Sequence, residues 1–141
     1  MSRQTAVHAL CCELSAGSFV RGSVESSEAS FVESNGERFS RVCLAGRAVE
    51  RSFGRAGEAT LTVDDGSGQV NAVAATPHAQ QCLQAVNKGE LILVIGKLRE
   101  GQERFVAAEI ARVLYQPEWF DLHLSRVRLR QTAVSKVKSV A

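Results

Sequence analysis

Residues 41–53 read RVCLAGRAVERSF, 58–75 EATLTVDDGSGQVNAVAA, 89–101 GELILVIGKLREG and 103–114 ERFVAAEIARVL. In the second segment Ala59, Leu61 and Val63 alternate with Thr60 and Thr62, the period-two pattern of a strand with one dry and one wet face. Asp64-Asp65-Gly66-Ser67-Gly68 then gathers turn formers, and Val70, Ala72 and Ala74 resume the alternation, which predicts a hairpin. Leu91-Ile92-Leu93-Val94-Ile95 is a nearly unbroken apolar run and predicts a strand covered on both sides. Gly46 and Gly96 fall near the middles of their strands, where a glycine marks a bulge or a sharp bend.

From Arg41 to Leu114 the order is therefore strand, hairpin, strand, strand, with one short helical stretch after the hairpin. Five strands with a helix between the third and fourth is the order of an OB-fold, a barrel that commonly binds single-stranded nucleic acid. The fold class predicted is all-β: a single five-stranded OB-fold barrel over 41–115 with a short helix between strands 3 and 4, an N-terminal arm or extension over 1–40, and a C-terminal segment with a basic tail over 116–141. A length of 141 residues suits one core and is short for two domains of usual size. In the arm, Phe19, Val20, Phe31, Val32 and Phe39 are spaced among Ser, Glu and Gly, which predicts short strands or an extended segment across the barrel, and SVESSEAS at 23–30 reads as a loop.

The net charge of +2 divides unevenly. Residues 1–40 carry three Lys/Arg against five Glu, whereas 41–141 carry 14 against ten acids, and Arg126, Arg128, Arg130, Lys136 and Lys138 follow Asp121 with no acidic neighbour. A mildly basic barrel with a basic tail is compatible with phosphate contact, and equally with a solvated surface. No segment approaches the ~20 apolar residues needed to cross a bilayer, and MSRQTAVHALCCELSAG makes a poor signal peptide, so no membrane is expected. Cysteines 11, 12, 43 and 82 read as reduced thiols of an intracellular protein.

Chemistry-bearing clusters are few. DDGSG lacks the Lys-Ser/Thr and the spacing of a phosphate loop. His8-x-x-Cys11-Cys12 has metal-like spacing but no second pair; His78 and Cys82 stand at helical i, i+4 spacing, and a split site with them is geometrically possible. Buried thiols with surface histidines are the preferred reading, so neither a metal nor a cofactor is expected. The three histidines lie in different elements, and Asp64-Asp65 sits in a turn where carboxylates cap backbone, so no catalytic set is expected. For nucleic acid, cations must follow phosphates and flat side chains must stack on bases. The candidate cations are Arg47, Arg51 and Arg55 on the first strand and its loop, and Lys97, Arg99 and Arg104 around the last hairpin. Phe53 and Phe105 are the candidate platforms, Phe105 fitting the core equally well, and Thr60, Thr62, Gln69 and Asn71 are the polar groups between them. Two platforms predict weak binding by the isolated chain.

The segment after the barrel reads two ways: Phe120, Leu124, Val127 and Val134 fit one helical face, yet DLHLSRVRLR alternates like a strand. Pro117-Glu118 favours a helix start. Phe19-Val20-Arg21, Val63-Asp64-Asp65-Gly66-Ser67-Gly68, Val86-Asn87-Lys88-Gly89-Glu90, Val94-Ile95-Gly96-Lys97-Leu98 and Pro117-Glu118-Trp119-Phe120-Asp121-Leu122-His123 follow one another in order. In that order and spacing, residues 14–130 resemble the middle-sized subunit of replication protein A in its archaeal form, and the Stn-type subunit of telomere-capping complexes. The resemblance implies a single-stranded-DNA-binding subunit for replication and repair, joined to a large and a small OB-fold subunit by a C-terminal helix in a three-helix bundle. It implies that Trp119, Phe120, Leu124 and Val127 bind the partner while Arg126 and Arg130 stay at the wet rim. A helix packed back on its own barrel is the alternative, and an OB scaffold of a telomere-capping, helicase or topoisomerase complex is the second functional reading. The winged-helix domain and phosphorylated tail often found in the family are not visible, which puts recruitment of repair factors through them in doubt.

Overall fold

The computed structural model describes residues 6–20, 31–34, 36–54, 58–100 and 103–140, the last seven as backbone only. In chain order the elements are β1 (Val7–His8), α1 (Cys11–Ala16), β2 (Ser18–Val20), β3 (Phe31–Ser34), β4 (Glu37–Phe39), β5 (Arg41–Phe53), β6 (Ala59–Asp64), β7 (Gln69–Ala74), α2 (Pro77–Gln84), β8 (Leu91–Glu100), β9 (Arg104–Val113) and α3 (Glu118–Val140). β5 pairs with β6, β6 with β7, β7 in parallel with β9, β9 with β8, and β8 returns to β5, so the sheet closes. This is the five-stranded OB-fold barrel that the strand order predicts, with α2 between its third and fourth strands and α3 after its last.

Alternation fills the barrel. Leu44, Leu61, Val63, Ile92, Val94, Leu98 and Val106 are fully buried, each worth roughly 1.5–3 kcal/mol of transfer free energy. α2 adds Leu83 to this cluster; it begins where Thr76 Oγ1 accepts the Ala79 N–H at 3.0 Å, with Pro77 opening the first turn. The 91–95 run is covered inside only, for Leu93 and Ile95 are half-buried and line an outer groove. Gly96 sits where the β8–β9 register shifts, and a Cβ there would lie 2.3 Å from the Ala107 carbonyl oxygen. Gly46 is not a bulge: β5 shifts between Ala48 and Glu50, and Gly46 instead admits the Asp64 carbonyl, 2.5 Å from where its Cβ would stand.

The arm folds onto this barrel. β1 runs parallel to β5, setting Val7 against Val42 and His8 against Cys43. β2, β3 and β4 form a separate antiparallel sheet, and Leu14, Val32 and Phe39 continue the core. The hairpin acids serve backbone, as their place in the turn predicts. Asp65 accepts the Cys11 N–H at 2.8 Å and the Ser67 N–H at 2.9 Å, and Ser67 Oγ accepts the Cys12 N–H at 3.1 Å. Asp64 accepts the Gly66 N–H at 2.8 Å, which holds its carboxyl below the usual range.

α3 lies against β1 and β5 with His123 and Val127 inward, 2 % and 1 % exposed. Arg130 clamps it. Its Nε donates to the His8 carbonyl at 2.9 Å, its two terminal nitrogens reach Glu37 and Glu13, and its guanidinium lies 4.9 Å from the Phe39 ring centre. Two expectations are thereby corrected. Val127 belongs to the protein's own packing, not to a partner face, and Arg130 is an anchor, not a rim charge. The helix phase is set by acids and a carbonyl on the arm, more than 90 positions away in sequence.

Candidate nucleic-acid interface

Residues paired directly across neighbouring strands share a face of the sheet. The registers join Glu50, Thr62, Asn71, Phe105 and Arg99 into one outward row crossing β5, β6, β7, β9 and β8. A second row joins Ser52, Thr60, Val73, Ala107 and Lys97. Thr62 Oγ1 and Asn71 Oδ1 are 2.7 Å apart in the first row. Beside it lies a groove of about 310 Å³ lined by Glu50, Thr62, Gln69, Asn71, Glu103 and Arg104. The fold thus gathers Thr60, Thr62, Asn71, Phe105, Lys97 and Arg99 on one surface. Phe105 stands half-buried on it, next to the inward Val106, while Lys97 and Arg99 are exposed at its edge.

The other candidates go elsewhere. Unbroken alternation would put Arg47, Arg51 and Phe53 on one side of β5. The shift between Ala48 and Glu50 reverses that parity, so Arg51 and Phe53 pair with the buried Leu61 and Ala59. Arg51 then caps α2, donating from Nη1 to the carbonyls of Gln84 at 2.9 Å and Val86 at 2.8 Å. Phe53 is 55 % exposed but lies beside Arg51, whose guanidinium is 5.7 Å from its ring centre, away from the row. Arg104 is equally engaged: Nη1 donates to the carbonyls of Leu14, Ser15 and Gly17 at 2.6, 3.3 and 2.7 Å, and Nη2 pairs with Glu100 at 3.3 Å. Arg47 donates to the Gly89 carbonyl at 3.0 Å, in line with Asp64. Arg55 lies outside the described residues. With Glu50 in the row and Glu103 beside it, the groove is close to neutral.

A second surface is apolar. Leu93, Ile95, Ile110, Tyr115 and Trp119 line a groove of about 770 Å³ where α3 leaves the barrel wall. Trp119, Leu122 and Leu129, at helical spacing on the outer side of α3, are 54 %, 41 % and 71 % exposed. Of the predicted partner residues, Trp119 belongs to this stripe, Leu124 is half-buried, and Phe120 is half-buried over Gly46, Arg47 and Leu91. Leu122 and Leu129, apolar in sequence, were left off the expected partner face because the helix was phased on Phe120 and Val127. Turned by about 100° per residue, the same sequence offers the Trp119–Leu122–Leu129 stripe.

No protein-family profile and no curated protein sequence matches this chain. Solved structures do. A chain of the S. pombe Stn1–Ten1 complex superposes with a TM-score of 0.78 at 17 % identity, over 98 % of this chain and all of that one. A chain of a replication protein A heterotrimer bound to single-stranded DNA gives 0.74 at 12 % identity, over 93 % and 98 %. A chain from the structure of yeast Stn1 and Ten1 gives 0.62 at 12 % identity, over 74 % of this chain and 59 % of that one. The likeness is one of fold, and in the first two it extends past the barrel to the arm and the terminal helix.

Proposed function

We propose that this chain is a non-catalytic OB-fold subunit of a replication protein A-like or Stn1–Ten1-like hetero-oligomer. It docks on sister OB subunits through the outer stripe of α3 and lends the Thr62–Asn71–Phe105–Arg99 row to single-stranded DNA. The exposed stripe carries the reading: Trp119, Leu122 and Leu129 on a small domain need a cover, and the apolar groove under Trp119 continues the surface onto the barrel wall. Near full-length likeness to chains solved in complexes with other subunits supports it. Direct DNA contact is weak, since one aromatic and two exposed cations share the surface with Glu50 and Glu103. Protection of single strands in replication and repair is the role such an assembly would serve. Buried, free Cys11 and Cys43 suit a reducing intracellular setting, and no helix among the described residues is long and apolar enough to cross a membrane.

The near-neutral groove favours one other reading, a scaffold that binds protein alone. Anisotropy of a labelled oligothymidylate across a salt series separates the two. If the row binds, replacing Lys97 and Arg99 with Ala lowers the salt slope by about 1.4, at about 0.7 per phosphate contact. Phe105→Ala weakens binding by ~1–3 kcal/mol with the slope unchanged. Binding untouched by all three substitutions removes DNA from the row. For the docking face, light scattering of the natively purified particle should give a mass above the 15.2 kDa chain, and Trp119→Glu with Leu122→Glu should return it to a monomer that melts no lower than the isolated wild-type chain. A folded variant that keeps its partner would place the interface elsewhere.

A further inference from the structure

His8 on β1 stands in register with Cys43 on β5, and His123 reaches the same spot from α3. The two Nδ1 atoms are 2.8 Å apart, and one ligand atom from each of the three residues lies within 4.8 Å of the others. Cys43 and His123 are each 2 % exposed, whereas His8 is half-buried and leaves one side of the cluster toward solvent. The hydrogen-bonded histidine pair is thus faced by a third side chain with a ligand atom, the Cys43 thiol. We propose that His8, Cys43 and His123 form a binding site for a borderline-soft divalent cation of the zinc class, tying the arm, the first barrel strand and the terminal helix together.

The ligand set is the argument. Two imidazoles and a thiolate suit zinc, with water in the fourth position on the side that His8 leaves open. Tetrahedral bonds of about 2.0–2.1 Å to nitrogen and 2.3 Å to sulfur put ligand atoms roughly 3.3–3.6 Å apart, so the imidazoles must separate by about half an ångström and the widest gap must close by about one. Rotamer adjustment of three side chains supplies that. Without metal, one Nδ1–H donates to the other Nδ1. Metal binding moves that proton to the Nε2 of the same ring and frees both Nδ1 lone pairs, and the Cys43 thiol releases its proton to solvent. Burial, largest among the causes, keeps that thiol protonated up to about 11 in the empty site, with Arg126 opposing it. The bound ion with one thiolate carries a single positive charge. Arg126 and Arg130 oppose that charge and Asp65, on the hairpin turn, favours it. The sequence pattern paired His8 with Cys11 and Cys12; Cys11 Sγ instead points to the Val63 carbonyl at 3.7 Å.

Cobalt as the probe tests this. Chelator-treated protein titrated with Co²⁺ should develop a thiolate-to-cobalt charge-transfer band that saturates at one ion per chain and is displaced by Zn²⁺. Zinc should release about one proton per ion at pH 7.5 and raise the melting temperature, because it binds only the folded chain. Cys43→Ala and His123→Gln should each abolish the band. His8→Gln, at the half-exposed position, should do so with its circular dichroism unchanged, which separates ligand loss from unfolding. Cys12→Ser and Cys82→Ala should keep the band, excluding the exposed His78–Cys82 pair, whose Nε2 and Sγ are 3.6 Å apart. No band at equimolar cobalt, or a band that survives Cys43→Ala, overturns the proposal.

Discussion

Replacing Arg130 with Met tests whether α3 is held by a buried charge cluster. Arg130, Glu13 and Glu37 side chains are 16 %, 8 % and 12 % exposed, and the guanidinium serves both carboxylates and the His8 carbonyl. Removing one partner of a buried pair costs about 3–5 kcal/mol, mostly because the other charge stays out of water without compensation. Two carboxylates are stranded here, which pushes toward the upper figure. Glu13 keeps the Leu10 N–H at 2.9 Å and Gln131 at 3.3 Å, which pulls the other way. The expected loss is about 4 kcal/mol, a large share of a typical total of 5–15 kcal/mol. Urea unfolding followed by circular dichroism at pH 7 measures it. Adding Glu13→Gln and Glu37→Gln to Arg130→Met should recover more than half, since the stranded charges are then gone. A loss under about 1 kcal/mol would class the cluster with exposed ion pairs and refute the reasoning. A full loss without recovery would assign it to the lost contact with Phe39.

Gly96→Ala drives a methyl group against the Ala107 backbone oxygen, which cannot rotate away; about 1–3 kcal/mol of destabilisation is expected in the same unfolding assay. Arg104→Met leaves three carbonyls at the end of α1 without their donor and should lower the melting temperature while leaving the salt slope of DNA binding unchanged; a flatter slope would restore Arg104 to phosphate contact. His123 is held at about 4 against 6.5, first by burial and then by His8, so between those values the unfolded chain binds the extra proton and stability falls as pH drops. In chelator-treated protein that contributes about 2 kcal/mol of loss between pH 7 and pH 5. His123→Gln should flatten this part of the pH profile, and an equal slope in both proteins would contradict the assignment.

The barrel was legible because its signals are local. Period-two alternation over 59–64, turn formers at 64–68 and the apolar run at 91–95 each specify their element without help from distant residues. Around Phe19, Phe31 and Phe39 the spaced apolar residues left short strands and an extended arm equally open, because segments of three or four residues carry too few periods to decide. What failed depended on parity or on partners far away. One extra residue at Val49 turns Arg51 and Phe53 to the other side of β5, and nothing in RVCLAGRAVERSF announces it. Arg51 and Arg104 looked like phosphate ligands because a guanidinium suits any concentrated negative potential. The carbonyls at the ends of α1 and α2 supply that potential inside the molecule. The His8–Cys43–His123 cluster spans three elements, and spacing rules see only ligands that are neighbours in sequence.

The meeting of β1 and α3 on β5 also sets the order in which the chain can fold. His8 and His123 are 115 positions apart, and Glu13 and Arg130 are 117 apart, whereas the barrel strands all lie between Arg41 and Val113. The barrel can close on contacts within its own segment, and Glu13 and Phe39 then wait for α3 to cover them. Seating α3 closes loops of more than 110 residues, longer than any between the barrel strands, an entropic step that local helix formation alone does not accelerate. Refolding should therefore show barrel closure first and helix docking as a separate, slower phase. On unfolding, the same seam should open before the strands part, so hydrogen exchange at the N–H of Ala9, bonded to the Cys43 carbonyl at 3.1 Å, should outpace that of Val94 in the closed sheet.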